Sequence, residues 1–188
     1  MEDRLAPGLY LEMADEPAPA EGVSVWENVR PGRDELPREL PEFRFLHIRE
    51  VGDDFVPTGD GLHFRRYPRP AQGRLTGNPT VGLLLVLISP TTPGEAQALR
   101  DWADFVHISH IAAAGVPGYT MITPYENATA GDPRFMHLYE MDTADPESAY
   151  RQMTPLVAER LRALGEPFKP WAYHDALRIM YVNTFRRV

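Results

Sequence analysis

The sequence predicts an α+β fold built of two tandem β-α-β-β-α-β units, the first of them degenerate. Three observations carry this prediction. Residues 79–188 give, in order, an apolar run, a helix-period segment, two alternating segments joined by a turn-rich loop, a second helical segment and a closing apolar run. Features of the first half also return at a fixed spacing: Trp26, Leu40-Pro41-Glu42-Phe43 and Glu50 recur 76 positions later as Trp102, Val116-Pro117-Gly118-Tyr119 and Glu126, and the run at Leu9 falls on that at Leu85. With the offset shortened to 72, Asp60 and Phe64-Arg65-Arg66-Tyr67 fall on Asp132 and Met136-His137-Leu138-Tyr139, as a four-residue difference in a hairpin loop would produce. Finally, Pro68 to Pro79 holds three prolines and two glycines, which suits a linker rather than a helix. The expected division is therefore 1–78 for a degenerate half and 79–188 for a complete one.

In the second half, Val81 to Ile88 is continuously apolar and stopped by Ser89-Pro90, as in a strand covered on both faces. Thr92-Pro93-Gly94-Glu95 supplies a hydroxyl N-cap, a first-turn proline and an early carboxylate, so a helix is expected from about Gly94 to Ala114. Its sheet-facing stripe, at steps of three and four, runs through Leu99, Trp102, Phe105 or Val106, and Ser109 or His110. Strands follow at Tyr119 to Glu126 and Arg134 to Asp142, around the turn formers of 127–133. Thr143-Ala144-Asp145-Pro146-Glu147 opens a helix to about Leu164, and a strand from Leu177 to Val188 closes the chain. This is the ferredoxin-like order. The first half reads as strands at Leu9 to Met13, Phe43 to Val51 and Leu62 to Tyr67, with a short broken helix within Val23 to Leu40.

A net charge of -8 argues against a binder of nucleic-acid backbone, which needs clustered Lys and Arg. The short basic stretch around Arg65 and Arg66 reads as a strand end, from which one of the two side chains points inward. With no cysteine, disulfides, thiolate chemistry and Cys-ligated metal are excluded. Met1 to Pro7 lacks an apolar signal region, and no run is long enough to span a bilayer, so a soluble, cytoplasmic protein is expected.

His107 and His110 are neighbours on one helix, and an imidazole facing a cavity can shuttle protons; the alternative for each is a capping or solvated histidine. Asp104, three residues earlier, can orient His107 or lie exposed. By strand alternation Phe135, His137, Tyr139 and Met141 share a face, as do Tyr119, Met121 and Thr123. Aromatics, methionine, a hydroxyl and a histidine together make an apolar pocket with few polar anchors, although the aromatics also suit an ordinary core. Trp171, Tyr173, His174 and Asp175 precede the last strand, where they close over a pocket or tether the final segment. His-x-x-His lacks the Glu of a zinc protease, and no metal site is expected. No Gly-rich loop precedes a helix, so no nucleotide cofactor is expected either.

Trp102-Ala103-Asp104-Phe105-Val106-His107-Ile108 followed by Val116-Pro117-Gly118-Tyr119 resembles the dimeric α/β-barrel superfamily, particularly its EthD-like proteins. The resemblance implies two ferredoxin-like units whose sheets pack into a barrel, from two chains as a homodimer or within one. Members include aromatic polyketide cyclases, muconolactone isomerases, quinone-forming monooxygenases and haem enzymes, so fold alone does not choose the reaction. Val106 stands where the family often has an acidic residue, and the interval from His107 to Val116 is long for it. The leading expectation is a cofactor-independent cyclase, dehydratase or isomerase of secondary metabolism acting on a hydrophobic aromatic or polyketide-like substrate. His107 or His110 would be the general acid/base, His137 and Tyr119 would polarise the carbonyl, and Trp102, Phe105, Met121 and Tyr139 would wall the cavity. The alternatives are a cofactor-free quinone-forming monooxygenase and a non-catalytic small-molecule-binding accessory protein. Haem enters through the family alone, with His107, His110 and His137 as axial candidates.

Overall fold

The computed structural model describes residues 7–188, so nearly all of the acidic N-terminal segment lies outside the described residues. Nine strands form one sheet: β1 (Gly8–Ala14), β2 (Val23–Asn28), β3 (Phe45–Val51), β4 (Leu62–Arg66), β5 (Gln72–Gly73), β6 (Gly82–Pro90), β7 (Tyr119–Asn127), β8 (Phe135–Met141) and β9 (Leu177–Arg187). Their order is β4-β1-β3-β2-β9-β6-β8-β7-β5, every pairing is antiparallel, and β4 also pairs with β7. That last pairing closes eight strands into a barrel, which leaves no long unpaired edge. Strands β1 to β4 lie in the order 4-1-3-2, and β6 to β9 repeat it as β9-β6-β8-β7, the second strand of each set pairing with the fourth of the other. The ferredoxin-like strand order is thus present twice in one α+β chain, with helices only in the second set.

The sequence offsets do not trace this repeat. Leu9 and Leu85 lie in the first strands of their sets, but Trp26 is in β2 whereas Trp102 ends a helix, and Glu50 is in β3 whereas Glu126 is in β7. Phe64 to Arg66 likewise form a fourth strand and Met136 to Leu138 a third. Without helices the first set is shortened unevenly, and no constant offset survives. The helix expected within Val23 to Leu40 is replaced by β2 and then a strap of residues 29–44 lying on β9. Val29 N–H donates to the Thr184 carbonyl at 3.0 Å, Glu39 N–H to that of Met180 at 2.9 Å, and Tyr181 Oη–H to Glu42 at 2.7 Å.

Four helices follow β6 and β8: α1 (Ala96–Trp102), α2 (Ile108–Ala114), α3 (Pro146–Leu164) and α4 (Phe168–Ala172). A π-turn, Ala103–His107, joins α1 to α2. Gly115 ends α2 at φ 65°, and Gly118 turns the chain into β7 at φ 87°, where a Cβ would lie 2.6 Å from Thr143 Cγ2. Helix α3 starts on an N-cap, Asp145 accepting from Ser148 N–H at 3.0 Å, and buries Ala149, Met153, Val157 and Leu161 at steps of four.

Strand alternation then divides the apolar side chains. Leu9, Leu11, Leu46, Ile48, Phe64, Leu83, Leu85, Leu87, Met136, Leu138 and Phe185 fill the barrel, each contributing about 1.5–3 kcal/mol when fully buried. Leu84, Tyr139 and Met141 point out under the helices with Ile108, Ile111, Val157 and Leu161. Strand β6 is covered on both faces, which is why its sequence does not alternate.

Candidate functional site

A cavity of about 220 Å³ lies between the outer face of β6, β8 and β9 and the helices. Its floor includes Leu84, Val86, His137, Tyr139 and Val182. Trp102, Ala103, His107, Tyr150, Met153 and Trp171 roof it, Thr154 and Phe168 sit at its rim, and Leu36 reaches it from the strap.

The π-turn decides which histidine faces this space. The buried positions run Leu99, Ala103, Ile108 and Ile111, steps of four, five and three, so one extra residue is absorbed at the turn. A regular helix would carry Val106 and His110 inward, on the stripe of Leu99 and Ala103. Instead His107 lines the cavity, while Phe105 is 64% exposed and packs against the Arg69 guanidinium, 4.5 Å from its ring centre. His110 points away toward Glu166, 3.3 Å distant. The expectations for Phe105 and His110 are therefore corrected.

His107 is held on three sides. Its Nδ1 lies 2.9 Å from the Trp171 carbonyl, so Nδ1–H donates and Nε2 carries the lone pair. Its ring stacks on that of Trp171 at 5.0 Å and 12°, with Trp102 at 5.1 Å on another side. The two tryptophans are fixed in turn: Trp102 Nε1–H donates to the Pro170 carbonyl at 2.8 Å and Trp171 Nε1–H to the His107 carbonyl at 3.0 Å. Burial pulls the His107 pKa down to about 4, the hydrogen bond to Trp171 recovering only part of the loss. This imidazole is neutral at pH 7.

His137, on β8, is 3% exposed and enters the cavity from the floor, beside an ionic cluster that the sequence did not signal. Arg100, 1% exposed, lies between the Tyr67 and Phe135 rings, 4.0 Å from each centre, and donates to the Tyr125 carbonyl at 2.7 Å. It also reaches His137 Nε2 at 3.3 Å; a guanidinium only donates, so Nε2 accepts and the proton resides on Nδ1. Asp104 Oδ1 stands 3.6 Å from both His137 Nε2 and Arg100 and makes no hydrogen bond, while Oδ2 accepts from Arg69 at 2.8 Å. Asp104 thus compensates Arg100 and Arg69; it neither orients His107 nor lies exposed, the two alternatives the sequence left open. Burial lowers the His137 pKa, outweighing the Asp104 carboxylate, and the Arg100 charge lowers it further. Both imidazoles are neutral, one presenting an acceptor and the other a donor.

Trp102 and Tyr139 line the cavity as expected, whereas Tyr119 and Met121 do not. A bulge at Thr120 shifts the register, so Tyr119 pairs with Met141 on the outer face and Met121 with Glu140 on the inner one. They share no face, which corrects the alternation read from sequence. Tyr119 packs edge-on against Tyr139 and its hydroxyl reaches Met153 Sδ at 3.8 Å, behind the cavity wall. Tyr150 and Thr154 were missed, although they flank the buried stripe of α3 and its period could have indicated them. Leu36 carried no signal, because the strap's path is fixed by contacts with β9. Among the described residues no group of three or more His, Asp or Glu is arranged to hold a metal ion. At about 220 Å³ the cavity is also below the roughly 300–1,000 Å³ of pockets for drug-sized ligands. No helix among the described residues is long and apolar enough to cross a membrane.

No family model and no curated protein sequence matches the chain. Its fold is similar to that of an uncharacterized ferredoxin-fold protein related to antibiotic biosynthesis monooxygenases from Listeria monocytogenes, with TM-score 0.53 and 9% identity over 96% of this chain and 94% of that one. A major regulator of staphylococcal pathogenesis is similar too, with TM-score 0.54 and 9% identity over 96% and 99%. An anthrone oxidase-like protein aligns with TM-score 0.49 and 14% identity over 100% and 92%, too distant to carry an argument. The first two establish a ferredoxin-type fold and leave the reaction open.

Proposed function

We propose that this chain is an EthD-like barrel whose helix-sheet cavity binds a small hydrophobic aromatic or polyketide-like metabolite and cyclises, dehydrates or isomerises it without a cofactor. The observation that carries this reading is the complementary pair of neutral imidazoles in one apolar cavity, His107 with Nε2 unprotonated and His137 with Nδ1 protonated. His137 Nδ1–H donates to a substrate carbonyl while His107 Nε2 takes a proton from the adjacent carbon, giving an enol that closes on a second carbonyl or expels water. A base with a pKa of about 4 removes only an acidic proton, such as one between two carbonyls, and this favours a polyketone. Trp102 and Trp171 exclude water, and the cavity volume suits a substrate portion of one or two rings.

A second reading, monooxygenation of a phenol to a quinone, shares the deprotonation step, and the dry apolar wall would let the anion meet dioxygen. The test is turnover of a panel of small β-polyketones and polyphenols, followed by mass spectrometry and an oxygen electrode. Product without oxygen uptake is expected, with activity reduced about 100-fold or more in His107→Ala and in His137→Gln and unchanged in His110→Ala. Full activity in both cavity variants would sink the mechanism. Stoichiometric oxygen consumption would establish the second reading, and tight binding without product would make the protein a carrier.

A further inference from the structure

The barrel's interior is not packed to its end. At the mouth nearest Trp26, Glu50 and Glu140 the lumen opens into a cavity of about 650 Å³, walled by Leu9, Ile48, Leu83 and Leu138. Barrel mouths are a recurrent place for small-molecule sites. This one is separated from the helix-sheet cavity by the strands themselves: Leu83 and Leu138 face the lumen, and their neighbours Leu84 and Tyr139 face the other side.

Its lining carries two carboxylates, Glu50 and Glu140, against one cation, Arg187, together with the hydroxyls of Ser24, Thr80 and Tyr125. Glu140 is on the inner face of β8, where Thr80 donates to Oε1 at 3.1 Å and Oε2 makes no hydrogen bond among the described residues. Burial raises its pKa, the Thr80 hydrogen bond offsets part of this, and the nearby Glu50 carboxylate raises it further; both acids line the same cavity. Glu50 and Glu140 have no ion pair within 4.0 Å among the described residues; Arg187 lines the same cavity and stands over Trp26, 5.8 Å from its ring centre. A further observation is independent of the acids. Tyr125 is 6% exposed and lines the cavity, and its hydroxyl, which makes no hydrogen bond among the described residues, is free to meet a group in the lumen.

We propose that the barrel mouth is a second small-molecule site, which takes a primary amine with an apolar body. The ammonium has three donors, matching Glu140 Oε2, Glu50 and the Tyr125 oxygen, and a positive charge relieves the repulsion between the carboxylates. The rings of Trp26 and Tyr125 add cation-π attraction, and the leucine and isoleucine wall takes the hydrocarbon. An anion would meet both carboxylates, and a neutral alcohol would leave them uncompensated.

Titration calorimetry with phenethylamine, 3-phenylpropionate and 3-phenylpropan-1-ol tests this assignment. Phenethylamine binds at about millimolar concentration or below and the other two do not; Glu140→Gln, Glu50→Gln and Tyr125→Phe each weaken it, the first two at least tenfold, while His137→Gln leaves it unchanged. These replacements keep side-chain shape, and the Glu140→Gln melting temperature should not fall below that of the wild type. Equal binding of the three probes, amine binding undiminished in both glutamine variants, or no amine binding at millimolar concentration overturns the proposal.

Discussion

Replacing Asp104 by alanine tests the buried ionic cluster on which the protonation of His137 depends. Asp104 is 3% exposed and Arg100 1%, and their closest approach is 3.6 Å. Alanine removes the anion but leaves the guanidinium between two aromatic rings, with only the Tyr125 carbonyl and His137 as partners. Arg69, the other cation on Asp104, keeps Asp101. Removing one member of a buried pair costs about 3–5 kcal/mol, because the survivor stays desolvated. The separation of 3.6 Å and the second partner of Arg69 place this case near the low end, about 3 kcal/mol. For a chain of this size each kcal/mol shifts Tm by roughly 2–4 °C, so Tm falls about 6–12 °C. The double variant Arg100→Met, Asp104→Leu recovers most of this, since neither charge then remains to be compensated. Urea unfolding with an unchanged m-value, alongside calorimetry, measures both. A loss below about 1 kcal/mol, or a double variant no better than the single one, would refute the idea that the two charges compensate each other. Burial works to raise the Asp104 pKa, but His137, Arg100 and Arg69 outweigh it and hold it below the usual 3.8. A carboxyl with a lowered folded pKa contributes stability that is complete above its unfolded value and is lost as pH falls through the lower folded one, so the cost of Asp104→Ala should shrink only below about pH 3.8.

Two further outcomes rest on the same structure. His107 titrates near 4 when folded and at 6.5 when unfolded, so below pH 6.5 the unfolded chain takes up a proton that the folded one refuses; stability falls until about pH 4 and then levels off. From pH 7 to pH 5 this amounts to about 2 kcal/mol, and His107→Gln should lose that much less than the wild type in paired urea titrations; equal losses would place the imidazole in a wetter site than the cavity wall. Gly118→Ala, at φ 87° and against Thr143, should cost about 1–2 kcal/mol or more and lower Tm by several degrees, and an unchanged Tm would mean that the turn into β7 relaxes freely.

How much was legible in the sequence differs between the halves for a physical reason. In the second half the apolar run of β6, the α3 stripe from Ala149 to Leu161 and the caps at Asp145 and Gly165 are local signals, and each element stands within a few residues of its expected place. In the first half residues 29–44 carry prolines and charges but no period, because hydrogen bonds to Met180 and Thr184 on β9 hold the strap in place of its own helix. Trp102 and His107, singled out on the helix and through the family resemblance, and His137 and Tyr139, singled out by strand alternation, all line the cavity. His110, Tyr119 and Met121 were not correctly placed, since a π-turn and a β-bulge each insert a residue that rotates the side chains beyond it, while Phe105 lies off the stripe that its alternative Val106 follows. Neither insertion has a composition of its own.

The sequence by itself determined the strand-helix order of the second unit, the α+β class and the residue types able to do acid/base chemistry, all of which depend on neighbours a few positions apart. Only the tertiary structure decided the closure of the barrel through β4 and β7, the choice of His107 over His110, and the approach of Arg100, Asp104 and Arg69 to His137. Those outcomes rest on packing between segments far apart in the chain, and packing absorbs an extra residue wherever the buried surface it gains exceeds the local strain.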